Sequence, residues 1–98
     1  MLGLMQQQRL MLSNVIRHAA RQHARSEVVS FMSDGSVHRT NYEALERRCR
    51  RLAKVVLRLG VAHGDRVGTL AWNDYRHLEL YYGVSGTGAI LNTVNVRL

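Results

Sequence analysis

The sequence contains no proline, and among its 98 residues there is one cysteine, one tryptophan and one phenylalanine. Without proline, chain reversals rest on glycine and on Asx residues. A single thiol, Cys49, cannot close an intrachain disulfide, which argues against a secreted, disulfide-stapled scaffold. No apolar run approaches the roughly 20 residues that span a bilayer. There are no internal repeats and no low-complexity linker. Acids are scarce as well, at seven against fourteen basic residues, giving a formal charge of +7. What remains is ordinary for a folded chain. The hydrophobic content of 46% argues against wholesale disorder, and the length allows one small domain with a thin core.

Thirteen of the fourteen cations are arginine; Lys54 is the exception. Such a balance admits polyanionic partners, namely nucleic acid, nucleotides, coenzyme A or an anionic membrane. An arginine bias from genome composition, or an acidic remainder elsewhere, explains it equally well. Residues 1–26 hold Arg9, Arg17, Arg21 and Arg25 and no acid. That pattern is like a mitochondrial transit peptide. The plainer expectation is a tail over 1–12 leading into a first helix.

The helical spacing of Leu12, Val15, Ile16, Ala19 and Ala20 predicts a helix over about 14–23, with Ser13 as its N-cap. Val28, Val29 and Phe31, the Asp34-Gly35 turn and a return through Val37 predict a hairpin over 27–39. Thr40-Asn41-Tyr42-Glu43 fits a capping box, so a long helix is expected over 41–59. Its apolar stripe is Leu45, Cys49, Leu52, Val56 and Leu59, and Gly60 supplies the positive φ of a helix stop. The opposite face carries Arg47, Arg51, Lys54 and Arg58, with Arg48 and Arg50 nearby. Gly64-Asp65 then makes a turn, and Arg66 to Trp72 reads as a strand. Asn73 or Asp74 caps a third helix bearing Leu78, Tyr81, Tyr82 and Val84, which Gly86 and Gly88 end. Residues 89–94 read as a last strand. Two strands about one helix make a βαβ unit, hence a parallel pair with a right-handed crossover. Such a pair is normally buried on both faces, and little sequence remains to cover it. The expectation is an α/β chain with an open sheet.

No active site is legible. The five histidines, His18, His23, His38, His63 and His77, form no zinc-type spacing with Cys49. His77 and Glu79 are two apart, so on a helix they point in different directions. Ser85-Gly86-Thr87-Gly88 is like part of a phosphate loop, but it ends a helix instead of opening one and no lysine follows. It reads as a helix end with close packing. Cys49, on the apolar stripe, reads as a small buried hydrophobe. No residue is assigned as catalytic, cofactor-binding or metal-ligating.

An ordered set of segments resembles the amino-terminal part of the adenylate-forming acyl-CoA synthetases, the AMP-binding ligase superfamily. The resemblance is strongest to bacterial long- and medium-chain fatty acid–CoA ligases. Leu12-Ser13 with Arg17-His18-Ala19-Ala20 begins the set, followed by Glu27-Val28-Val29-Ser30 and Asp34 to Thr40. Tyr42 to Leu45, Arg50 to Ala53, Leu59-Gly60-Val61 and Gly64 to Val67 continue it. Leu70 to Asn73, Tyr75 to Glu79, Gly88-Ala89, Leu91 to Asn95 and Arg97-Leu98 complete it. Where the family usually has proline, this chain has Ala24, His63 and Val96. The resemblance implies a partial N-terminal subdomain of such a ligase, roughly its first fifth. It implies activation of a fatty acid with ATP and Mg²⁺ to an acyl-adenylate, then transfer to coenzyme A, in the cytoplasm. The family's phosphate loop and catalytic lysine have no counterpart here, so the fragment alone is expected to bind no cofactor and to be inactive. A homo-oligomer is compatible with this reading. Two other readings stand beside it: a small nucleic-acid-binding module using the arginine-rich face of the 41–59 helix, and a stand-alone fragment that docks on a full-length ligase.

Overall fold

The computed structural model describes residues 3–98. Residues 3–11 run without helix or strand, and residues 1 and 2 of the expected tail lie outside the described residues. The order is α1 (Leu12–Gln22), β1 (Glu27–Phe31), β2 (Val37–Asn41), α2 (Tyr42–Arg58), β3 (Arg66–Thr69), α3 (Tyr75–Ser85) and β4 (Ile90–Thr93). β1 and β2 form an antiparallel hairpin, and β3 and β4 a separate parallel pair. The α/β architecture with hairpin, amphipathic helices and βαβ unit is the one expected. No described helix is long and apolar enough to cross a membrane.

Three local expectations need correction. α1 begins at Leu12 after Met11, which makes no side-chain cap bond, so Ser13 sits inside the first turn. There the Met11 carbonyl is taken by the Asn14 N–H at 3.0 Å, and Asn14 Nδ2 reaches back to the Arg9 carbonyl at 3.4 Å. The cap of α2 is Asn41, one residue after the expected Thr40. The hairpin ladder runs one residue past Thr40, through Asn41 opposite Glu27, so the helix starts after Asn41, whose Oδ1 accepts from Ala44 N at 2.9 Å. Glu43 pairs forward with Arg47 at 3.7 Å. β3 stops at Thr69, short of Trp72, because the chain bends over 70–74, where Asp74 N donates to the Trp72 carbonyl at 2.9 Å.

The end of α2 follows the sequence closely. Gly60 takes φ +88°, its N–H donates to the Leu57 carbonyl at 3.0 Å, and Val61 N–H reaches the Val56 carbonyl at 3.4 Å. This is a Schellman closure, with Val61 packing on the cluster that holds Val56. Leu59 is the C-cap, where the helical projection of the stripe ends, and it stands 77% exposed.

Two small clusters make the core. Ile16, Leu45 and Cys49 meet Val28, Tyr42, Leu78 and Tyr82, which joins α1, the hairpin, α2 and α3. Val56, Val84 and Ala89 meet Leu52, Val61, Val67, Leu80 and Leu91, which seats the parallel pair on α2 and α3. A Cβ at Gly83 would come within 2.8 Å of the Leu52 side chain, so glycine allows α3 to lie close on α2. On the parallel pair the pleat alternates. Val67, Thr69 and Leu91 are covered or partly covered, while Arg66, Gly68, Ile90 and Asn92 are exposed.

Candidate functional site

The strand and helix ends converge on one cleft. At the carboxyl ends of β3 and β4, beside the start of α3, lies a cleft of about 400 Å³ walled by Trp72, Asn73, His77, Tyr81, Asn95 and Arg97. In open α/β sheets this is where ligands sit. His77 is buried; its Nε2 lies 3.3 Å from Thr69 Oγ1, and its ring stacks on Tyr81 with centroids 4.9 Å apart. Arg97 is the cleft's one charged wall residue, and its N–H donates to Asn95 Oδ1 at 2.9 Å. The first N–H groups of α3 face their own cap: Asp74 Oδ1 accepts from Arg76 N at 2.9 Å and from His77 N at 3.3 Å. Asp74, one of two residues expected to cap this helix, is the cap. Among the described residues no carboxylate bonds the His77 ring, so His77 and Thr69 lack the orienting third group of a nucleophile–base pair. Among the described residues the cleft has no nucleophile–base pair placed for bond-breaking. It was missed in the sequence because its walls come from segments after two separate strands.

His77 and Glu79 diverge as their spacing implies. Glu79 is buried toward α2, where the Arg48 guanidinium grips it through Nε, and through Nη2 at 3.3 Å to Oε2. That contact raises the Arg48 pKa: the Glu79 hydrogen bond is the main cause, then its charge. Arg48 also lies over the Tyr75 ring at 5.9 Å, and Tyr75 stacks on His38 at 3.7 Å. The column His38–Tyr75–Arg48–Glu79 thus ties β2, α3 and α2. A second buried carboxylate, Glu46, holds Arg50 through Nε, and through Nη2 at 2.8 Å, and raises its pKa. The burial of these two acids is not legible in the sequence.

These pairs change the meaning of the basic face. Arg47, Arg48 and Arg50 are engaged with Glu43, Glu79 and Glu46. Arg51, Lys54 and Arg58 are exposed, with no ion pair among the described residues. A groove of about 420 Å³ between α1 and α2 brings Arg17 and Arg21 opposite Arg47 and Arg50.

The remaining motifs fall where the sequence put them. Ser85 to Gly88 closes α3 and enters β4, with Thr87 Oγ1 donating to the Val84 carbonyl at 2.7 Å. A Cβ at Gly88 would overlap the His63 ring, so the run is a helix end packed closely. Cys49 is buried, and burial first, then the charges of Glu79 and Glu46, pushes its thiol from 9.0 up to about 12. Among the described residues no group of three His, Cys, Asp or Glu is placed to hold a metal ion.

A profile of the AMP-binding enzyme family matches residues 16–98. The 3-methylmercaptopropionyl-CoA ligase of Ruegeria lacuscaerulensis is 48% identical over 98 residues, covering 100% of this chain and 18% of the ligase. The medium-chain-fatty-acid–CoA ligase of Ectopseudomonas oleovorans is 44% identical over the same 98 residues, again 18% of that enzyme. Among solved structures, the crystal structure of the N-terminal domain of FACL13 from Mycobacterium tuberculosis superposes with a TM-score of 0.80 at 29% identity, covering 92% of this chain and 22% of that one. This chain therefore spans under a fifth of the length of these curated relatives, and within that span it belongs to the AMP-binding enzyme family.

Proposed function

We propose that this chain is the amino-terminal portion of a fatty acid–CoA ligase, incomplete as an AMP-binding domain over residues 1–98. The full-length enzyme would activate a fatty acid to an acyl-adenylate and pass the acyl group to coenzyme A. One observation carries the reading: all 98 residues match acyl-CoA ligases in a single stretch, at 44–48% identity. The reading brings with it fatty acid, ATP, Mg²⁺ and coenzyme A as partners of the full-length enzyme, and the cytoplasm as its place. ATP and Mg²⁺ do not fit this chain's own residues. Among the described residues there is no carboxylate cluster for the ion, and the glycine-rich run 85–88 ends a helix, so its amides are not aimed at a phosphate from a helix start. No catalytic step is therefore assigned here. The chain's contribution is a scaffold: it sets α2 against α3, mounts the first parallel strand pair, and opens a cleft at the ends of those strands.

Two assays test the reading. The 98-residue chain alone should show no ATP–pyrophosphate exchange above a blank. Grafted in place of its matching segment in the Ectopseudomonas oleovorans ligase, it should preserve acyl-CoA formation. Exchange by the isolated chain, or a well-folded but inactive graft, would overturn the reading.

A further inference from the structure

Packing α1 on α2 brings cations of two helices face to face. The groove of about 420 Å³ between them has Arg17 and Arg21 on the α1 side, Arg47 and Arg50 on the α2 side, and Glu43 and Glu46 in its wall. Both acids are already engaged. Glu43 pairs with Arg47 at 3.7 Å, and the buried Glu46 holds Arg50 through Nε and Nη2. Arg17 and Arg21 make no ion pair among the described residues, and residues 1–26 contain no acid to supply one. Four cations against two carboxylates leave the groove at +2.

Arginines one turn apart on α1, set opposite further arginines on α2, oppose the contact between the two helices. In a folded chain a local conflict of this kind is expected at a functional site. The walls are exposed guanidiniums, so an apolar layer of a longer chain would not seal the groove: burying Arg17 or Arg21 unpaired is too costly. The groove is also separate from the cleft at the strand ends, with which it shares no wall residue.

We infer that this groove is a binding site for a phosphate dianion, seated between Arg17 and Arg21 of α1 and Arg47 and Arg50 of α2. The groove's net charge matches that of hydrogen phosphate or a phosphate monoester. Guanidinium forks fit phosphate oxygens, and a tetrahedral group takes donors from both helices at once, where a planar carboxylate serves one side. Glu43 and Glu46 hold Arg47 and Arg50 in place before the ligand arrives, which lowers the cost of ordering them. The volume lies within the roughly 300–1,000 Å³ of small-molecule pockets, so a phosphate carried on a small molecule fits as well as the free anion. Once bound, the anion bridges α1 and α2. The inference does not rest on the ligase activity proposed above.

Inorganic phosphate and glycerol 3-phosphate, titrated calorimetrically at fixed ionic strength into the 98-residue chain and into the graft described above, test the site. Saturation by phosphate alone assigns the free anion, and saturation by both assigns a phosphate carried on a small molecule. Arg17→Gln and Arg21→Gln should each weaken binding roughly tenfold. Arg51→Gln and Lys54→Gln remove the same charge from outside the groove and should change binding less than about twofold. With no anion present and at low salt, the Arg17→Gln/Arg21→Gln chain should melt roughly 2–4 °C higher, because a like-charge conflict is gone. A double variant that melts lower would overturn the inference, since the two arginines would then serve the packing of α1 on α2. So would equal losses at all four positions, a graft that neither anion saturates, or saturation only by a long polyanion with a steep salt dependence. Acyl-CoA formation by the graft should be the same in the double variant. A graft that binds phosphate through Arg17 and Arg21 yet makes no acyl-CoA supports the site while refuting the ligase reading.

Discussion

Leu45→Ala and Leu59→Ala together form the most demanding test of how α2 is packed. Both leucines lie on one apolar stripe of the sequence. In the structure Leu45 is 0% exposed, surrounded by Ile16, Cys49, Val28 and Tyr42, and Leu59 is 77% exposed beyond the last helical turn. Truncating a fully buried leucine removes its transfer free energy and leaves a cavity, at a cost of about 2–5 kcal/mol. The Leu45 site joins three helices and a hairpin, so it cannot collapse without moving one of them. That places the expected cost near the middle of the range, about 3 kcal/mol. Surface truncation at Leu59 should stay within about 0.5 kcal/mol. For a domain of this size the first change lowers the thermal midpoint by roughly 12–24 °C, and the second by no more than roughly 4 °C. Urea titrations followed by far-ultraviolet circular dichroism give both numbers, with equal slopes confirming an unchanged unfolding reaction. Equal losses at the two positions would refute the reasoning, because burial would then not rank the stripe.

Other consequences are as direct. Arg48→Met strands the buried Glu79 carboxylate and should cost about 1–3 kcal/mol, whereas Glu79→Leu, which removes the buried charge, should cost less; urea midpoints decide the order. Asp74→Ala removes the cap of α3 and should cost about 1 kcal/mol, largely recovered by Asp74→Asn, as read in the same titrations. Cys49 should react with a disulfide reagent at pH 8 far more slowly than a free thiol, and at the free rate in urea. Its folded pKa lies above the unfolded value, so its contribution to stability is complete below pH 9.0 and is lost as the pH rises toward about 12. Asp34 behaves in the opposite sense. The Ser36 hydroxyl, then the Ser36 backbone N–H, lowers its pKa, so the stabilisation is present above the ordinary 3.8 and is lost as the pH falls through the lower folded value. A carbon-13 titration of the Asp34 carboxyl should show that depressed midpoint.

Much of this fold can be read along the chain, because its elements are set by short-range chemistry. The α2 stripe, the Gly60 stop, the Asp34-Gly35 turn and the βαβ order all depend on residues within a few positions of one another. The misreadings arise where a distant partner decides. Thr40 has the chemistry of a cap, but the hairpin ladder runs one residue further, to Asn41 opposite Glu27, before the helix can start. The burial of Glu79 depends on Arg48, 31 positions away. Leu70 and Trp72 look like strand residues, yet β4 pairs only as far as Thr69. The cleft was invisible for the same reason, since Trp72 and Asn95 become neighbours only after the parallel pair forms. The family was legible because many weak local matches occur in the right order, although no one of them is diagnostic.

Asn41 ends β2 and also caps α2, so no linker separates the hairpin from the long helix. A rigid joint of this kind converts spacing into rotation. One residue inserted between Asn41 and Tyr42 would swing the helix by about 100° relative to the ribbon. Ala44 would then fill the slot of buried Leu45, and Arg48 that of buried Cys49, which brings a cation into the core. Length variation should therefore be tolerated in the 32–36 bend and forbidden six residues later.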